Sequence, residues 1–246
     1  MLSKTHAKYI QSLHHKKFRD AEGAFIAEGN KVVSELLQSG KFKCKELLAL
    51  PEWIDENETH VKNLYKEAVI PVTKMEMDKI SALSTPGNVL AVFYRADEML
   101  PDLKDKITLM LDTIQDPGNF GTIIRIADWF GVSNIICSND TVEMYNPKVV
   151  QSTMGSLARI NIIYTDLLQF IQQNKRIKIF AATLNGKTIA EIKPLKEAII
   201  IIGNESKGIS KELLDLATEK ITIPKKGTAE SLNAAVATGI ILSHLI

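Results

Sequence analysis

The run Ala198-Ile-Ile-Ile-Ile202 is the most restrictive stretch of the chain. Five consecutive apolar residues leave a strand no polar face to turn toward water. It must be covered on both sides, as inner strands of a parallel sheet layered between helices are. Further short strands are expected at residues 107–111, 134–137, 160–164, 178–183 and 220–223, with helical segments between them. That alternation predicts an α/β domain with a mostly parallel sheet. The last helix, from about Ser231, carries Leu232, Ala235, Val236, Gly239 and Ile240 on one face. Ile241, Leu242, Leu245 and Ile246 make it apolar nearly all round, so it needs cover on several sides. A second subunit or deep packing within one monomer would serve.

Ahead of this region the pattern is less regular. It predicts a strand at 24–27, a helix at 30–38, a strand at 46–50, helix-like sequence through 65, a strand at 69–72, a helix around 75–82 and a strand at 89–94. This is a compact α/β or α+β unit spanning residues 1–95. The acid-rich, proline-containing stretch 96–106 reads as a linker, and the second domain occupies 107–246.

Charge and cysteine usage narrow the function classes. Thirty Lys and Arg against 29 Asp and Glu give a net charge of +1, so no global field advertises a nucleic-acid partner. The first nineteen residues are the exception: Lys4, Lys8, Lys16, Lys17 and Arg19 stand there with no acid. If Ile10 and Leu13 seat a short helix on the core, these cations face outward, either as a phosphate-binding surface or as an ordinary solvated face. Cys44 and Cys137 lie far apart without metal-ligand spacing, which argues against a metal site and a disulfide framework and for two buried small hydrophobes. No signal peptide is recognisable and the apolar runs are strand-sized, so the expected setting is cytoplasmic, with no membrane partner.

In open α/β sheets ligands bind beyond the carboxyl ends of the strands. Three loops there carry chemistry. The first, Asp116-Pro-Gly-Asn-Phe-Gly-Thr-Ile-Ile-Arg125, tips a strand into a helix, with Asn119 as the expected N-cap. Side chains on a helix lean toward its N-terminus, so Arg125 can reach back over this loop; a bland pairing with Asp128 is the alternative. The second, Gly203-Asn-Glu-Ser-Lys-Gly208, has glycines spaced as in a Walker A, but Lys207 precedes Gly208 and Ile209 follows it, so the triphosphate motif fails. A G-x-G-x-x-G fingerprint is also missing from the sequence. The loop either brings backbone close to a ligand, with Glu205 beside it, or is simply a helix-start turn. The third runs from Lys225 to Asn233, where Glu230 and Ser231 equally suit a helix start.

Taken together, the three loops resemble the motifs of the SpoU family of RNA ribose 2′-O-methyltransferases, within the trefoil-knotted (SPOUT) superfamily. N-x-G-x-x-x-R stands as Asn119, Gly121 and Arg125; G-N-E-x-x-G as Gly203, Asn204, Glu205 and Gly208; and E-S-L-N as Glu230, Ser231, Leu232 and Asn233. The likeness covers residues 107 to 246. More loosely, Lys16-Lys-Phe-Arg19 and Phe25-Ile-Ala-Glu-Gly29 resemble the small, L30e-like substrate-binding domain of many members.

The resemblance implies an α/β domain whose carboxy-terminal strands are tied in a deep knot around S-adenosylmethionine. Periodicity alone would have given a plain doubly wound fold. It implies cofactor contacts at Gly203, Ile223 and Leu232, with Leu184 and Asn204 added, and a homodimer built on the knot helices. Arg125 falls on the catalytic position, with Asn119, Glu205, Ser231 and Asn233 positioning it and the ribose. A guanidinium normally keeps its proton, so holding a substrate phosphate and stabilising the developing alkoxide is its first role and acting as a base the second. The implied substrate is structured RNA, with ribosomal RNA favoured and transfer RNA the alternative, and the competing class is a non-catalytic RNA-binding or ribosome-assembly protein.

Overall fold

The computed structural model of the chain describes residues 2–246. They fall into two compact units, residues 2–97 with 145–158, and residues 98–144 with 159–246.

The first unit contains, in chain order, α1 (Lys4–Ser12), α2 (Lys16–Glu22), β1 (Ala24–Glu28), α3 (Asn30–Gln38), β2 (Cys44–Ala49), α4 (Pro51–Glu56), α5 (Glu58–Val61), β3 (Val69–Pro71), α6 (Lys74–Ile80) and β4 (Val89–Tyr94). Among the described residues its sheet has the order β1-β4-β2-β3. β4 runs antiparallel to both β1 and β2, and β3 is parallel to β2. Ile10 and Leu13 are fully buried with Ile26, Leu48, Met77, Ile80, Leu90 and Val92, while Lys4, Lys8, Lys16 and Lys17 are exposed. Arg19 departs from the expected outward set. It is 2% exposed, and its Nη1 donates to the carbonyls of Leu13 at 3.0 Å and His14 at 2.9 Å. The guanidinium satisfies carbonyls in the turn between α1 and α2.

The chain continues with β5 (Ile107–Asp112), α7 (Pro117–Trp129), β6 (Asn134–Cys137), α8 (Pro147–Ser152), β7 (Asn161–Tyr164), α9 (Leu167–Gln173), β8 (Ile179–Thr188), β9 (Ala198–Gly203), α10 (Lys211–Leu216), β10 (Glu219–Thr222) and α11 (Ala234–Leu245). Of these, α8 lies in the first unit, although a sequence division into 1–95 and 107–246 assigns it to the second domain. Aromatic packing accounts for this: the Tyr145 ring lies 4.7 Å from that of Phe25, which also packs on Phe42 and Phe93, and Lys41 Nζ donates to the Leu157 carbonyl at 3.1 Å.

The second unit's sheet runs β10-β8-β9-β5-β6-β7 among the described residues, with every neighbouring pair parallel. Residues 198–202 are at most 3% exposed, as their composition requires. Ile199 and Ile201 join Met110, Ile136, Phe170, Ile171 and Leu213 in one core layer, while α11 packs on β9 and α7. The strand order reverses at β5, with β6 and β7 on one side and β9, β8 and β10 on the other. Beyond the carboxyl ends of β5 and β9 the sheet therefore has its switch point, where departing loops diverge and leave a crevice. Cys137 is buried and Cys44 half-buried; burial raises both thiols, Cys44 to about 12.

Candidate functional site

The first turn of α7 is built differently from the sequence expectation. Asp116 is the N-cap, its Oδ1 accepting the Asn119 N–H at 2.7 Å, and Pro117 opens the helix where a missing N–H costs nothing. The Asn119 side chain is thereby released to meet two other loops. Its Nδ2 donates to Glu205 Oε1 at 2.5 Å, and its Oδ1 accepts Asn233 Nδ2 at 2.7 Å. Asn233 in turn caps α11, Oδ1 accepting the N–H groups of Ala235 at 2.9 Å and Val236 at 3.2 Å.

These contacts leave no freedom in the amide orientations. Backbone N–H groups only donate, so the Asn233 oxygen must face them and its NH₂ must face Asn119. Asn119 then presents its oxygen to Asn233 and its NH₂ to the Glu205 carboxylate, an acceptor. Helix α11 therefore begins at Ala234 rather than near Ser231, and its capping residue carries orientation to a carboxylate two loops away.

The Glu205 loop is closed by paired hydrogen bonds, Asn204 N–H to the Gly208 carbonyl at 3.1 Å and Gly208 N–H to the Asn204 carbonyl at 2.9 Å. Inside it, Asn204 Oδ1 accepts the N–H groups of Ser206 and Lys207, and its Nδ2 donates to the Thr113 carbonyl at 2.8 Å. A Cβ on Gly203 would lie 2.4 Å from the Gly208 carbonyl carbon and 2.5 Å from Ile209 N, so the fold of the loop requires glycine there. α10 does start just after the loop, yet Ser210 makes no side-chain cap bond to it.

A cavity of about 700 Å³ opens beside this loop. Leu184, Gly203, Asn204, Ile223 and Leu232, the five expected cofactor contacts, all line it, together with Glu205 and Ser231. Leu184 arrives because β8 is longer than the expected 178–183. Ala181 pairs with Lys220 and Lys187 with Ile221, so residues 182–186 bulge out of the ladder. A Cβ on Gly186 would sit 2.5 Å from the Lys220 carbonyl oxygen, and Thr222 Oγ1 donates to the Leu184 carbonyl at 3.1 Å, which fixes the bulge against β10. β10 itself stops at Thr222, leaving Ile223 in the loop beyond. The volume lies within the range of small-molecule and cofactor sites. Apolar Leu184, Ile202, Ile223 and Leu232 and the backbone groups of three loops suit a flat heteroaromatic ring carrying a polar tail. Lys207, Lys220, Lys225 and Lys226 add positive charge to the lining.

Arg125 is not one of the lining residues. It stands on the exposed face of α7 and makes no hydrogen bond or ion pair with any described residue. Its sequence alternative, Asp128, is engaged by Arg159, whose Nε reaches Oδ1 at 3.0 Å and whose Nη2 reaches Oδ2 at 2.8 Å. Sequence reasoning also passed over Asp112 and Thr113. Asp112 is 8% exposed, and its Oδ2 accepts the Ser210 N–H at 2.8 Å. An acid closing a strand that is apolar but for Thr108 was the available signal. Among the described residues no group of three or more His, Cys, Asp or Glu is placed to hold a metal ion.

The SpoU rRNA Methylase family matches residues 106–243, and the MRM3-like substrate binding domain matches residues 4–91. The 23S rRNA (guanosine(2553)-2′-O)-methyltransferase RlmP of Bacillus subtilis is 32% identical over 241 residues, covering 96% of this chain and 93% of its own. A structure from Porphyromonas gingivalis ascribed to the TrmH family of RNA methyltransferases superimposes with a TM-score of 0.89 at 34% identity, over 100% of this chain and 98% of that one. The AdoMet-bound rRNA methyltransferase of Sinorhizobium meliloti gives 0.87 at 30% identity, over 100% and 96%.

Proposed function

The chain belongs to the SpoU rRNA methylase family, and from that premise we propose that it transfers a methyl group from S-adenosylmethionine to a ribose 2′-hydroxyl of structured RNA, ribosomal rather than transfer RNA. The observation that carries the reading is the hydrogen-bonded series Asn233–Asn119–Glu205 beside a cavity lined by the loops following β9 and β10 and by the β8 bulge. S-adenosylmethionine supplies a methyl group on a sulfonium, open to in-line displacement by oxygen. The chain's own task is then alignment and help with a weakly acidic hydroxyl.

Gly203, Asn204 and the 182–186 bulge offer backbone groups and shape to the adenosyl part, with Ile223 and Leu232 as its apolar cover. Arg125, cationic and uncommitted to any carboxylate of the described residues, is available to a substrate phosphate and to the oxygen as it loses its proton. Glu205, held by Asn119, and Ser231 at the cavity wall position the ribose. Lys4, Lys8, Lys16 and Lys17 of the first unit, and Lys207, Lys225 and Lys226 at the cavity, are the proposed contacts to RNA phosphates. The first unit is the proposed RNA substrate domain. The same reading includes a knotted carboxy-terminal half, a homodimer and a cytoplasmic setting. The interposition of β8 between β9 and β10 and the return of α11 onto α7 support the knot.

Replacing Arg125 with Ala is expected to abolish tritium transfer from labelled cofactor into RNA while calorimetric cofactor affinity stays within about threefold, since the side chain lies outside the cavity lining. Undiminished transfer in that variant would remove Arg125 from the chemistry. Cofactor binding without any transfer by the unmodified protein would favour a non-catalytic RNA-binding role.

A further inference from the structure

We infer that Asp112 and Thr113 are positioning residues that clamp both ends of the loop carrying Glu205; the inference rests on the methyltransferase reading of that loop. Asp112 is the last residue of β5, at the point where the sheet order reverses, and it pairs in register with Gly203. Its buried carboxylate accepts two bonds, from Ser210 N–H through Oδ2 at 2.8 Å and from Thr113 Oγ1 through Oδ1 at 3.1 Å. The next residue holds the other end, the Thr113 carbonyl accepting Asn204 Nδ2 at 2.8 Å. Two consecutive residues thus fix positions 204 and 210, and Glu205 lies between them.

The backbone at Thr113 shows what this arrangement costs. Its φ is 60°, in the left-handed region that a β-branched side chain disfavours. That conformation persists because its neighbours over-determine it: the Thr113 N–H donates to Ser138 Oγ at 2.9 Å, the hydroxyl goes to Asp112 and the carbonyl goes to Asn204. An extended Thr113 would swing its carbonyl away from Asn204. Local strain held in place by several bonds beside the loop that carries Glu205 is the pattern in which strain serves positioning. Neither residue lines the cavity, so both act through the loop.

The test compares Asp112→Ala, Asp112→Asn and Thr113→Gly in the full-length protein, with methyl transfer to RNA and amide hydrogen exchange measured for each. Asn can keep both bonds, its oxygen accepting Ser210 N–H and its NH₂ donating to a Thr113 hydroxyl that reverses its role. A small misplacement of a positioned group costs up to about 100-fold in rate. Asp112→Ala is therefore expected to lower kcat about 30-fold with KM for RNA little changed, and Asp112→Asn to recover to within about threefold of the parent. Thr113→Gly relieves the left-handed strain but removes the hydroxyl that Asp112 Oδ1 accepts and loosens the backbone there, so its thermal midpoint should stay close to the parent's while kcat falls about tenfold. A residue with only a structural role would not lower activity while leaving stability near the parent's. In Asp112→Ala and Thr113→Gly, amides 204–207 should exchange faster while those of β5 stay protected. The inference is overturned if Asn is as impaired as Ala, if Thr113→Gly is fully active, or if exchange at 204–207 is unchanged. An unmodified protein that transfers no methyl group would instead defeat the functional reading, and the exchange comparison would still decide the clamp.

Discussion

Arg19 and its neighbours Lys16 and Lys17 carry the same charge and have opposite fates. Sequence shows only that cations cluster there; it does not show that α2 turns Arg19 inward onto two carbonyls. Arg19→Ala would leave those acceptors without their charged donor, and hydrogen bonds from a charged donor are worth about 1.5–3 kcal/mol each. Denaturant melting should therefore show a loss of about 3 kcal/mol. Lys16→Ala with Lys17→Ala should leave the melt unchanged and flatten the dependence of log K for RNA on log salt by about 0.7–0.9 for each phosphate that is no longer neutralised. An unchanged salt slope would take these lysines off the RNA surface. Gly203 makes a sharper case. A methyl group there meets backbone, not a movable side chain, and overpacking typically costs about 1–3 kcal/mol. Gly203→Ala should weaken cofactor binding about 10- to 100-fold by calorimetry, and unaltered affinity would show that the loop does not form the cofactor wall. Residues of this kind were legible as a motif, while their reason, a loop folded back onto its own first residue, exists only in three dimensions.

At the scale of elements, the strands with uninterrupted apolar runs were read almost to the residue. Burial on both faces leaves such a segment one solution: the strand expected at 198–202 is β9, one residue longer. Boundaries set by side-chain bonding were not legible. Asn119 and Asp116 are both good caps, and Asn233 took the role expected two residues earlier because its amide could also serve Asn119. The β8 bulge was hidden for a related reason, since pairing with β10 is a contact between distant segments. The double duty of Asn233 can be separated experimentally. Asn233→Asp keeps an oxygen for the Ala235 and Val236 N–H groups but loses the donor to Asn119, whereas Asn233→Ala loses both. The Ala variant should lose about 0.5–2 kcal/mol of stability, as caps do, and the Asp variant almost none. Both should lose activity, because Asn119 is then free to flip away from Glu205. An Asp variant with parental kcat would show that the cap alone matters.

For the whole molecule, the sequence left two covers open for the terminal helix, a second subunit or the monomer's own core, and the structure supplies the second for only one side of it. Ala234, Ala235, Thr238, Ile241, Leu242 and Leu245 are buried, whereas Val236 is 51% and Ile240 37% exposed. Trp129, on the adjoining α7, is 84% exposed. Exposed apolar side chains on two packed helices mark a candidate association surface. The proposed homodimer would bury it. Val236→Glu with Ile240→Glu should yield a monomer in sedimentation equilibrium with unchanged far-UV circular dichroism, because neither side chain supports the core. Trp129 offers an independent readout. The chain has two tryptophans, and Trp53 is already 3% exposed, so a red shift of emission on dilution or in the double variant reports Trp129 entering water. A parent protein that sediments as a monomer, with emission independent of concentration, would mean that the patch serves something other than a second copy. Arg125 shares the exposed face of α7 with Trp129, so in the proposed homodimer the second copy would stand beside Arg125 and help hold it. The monomeric variant should therefore bind cofactor and yet transfer methyl groups more slowly than the parent.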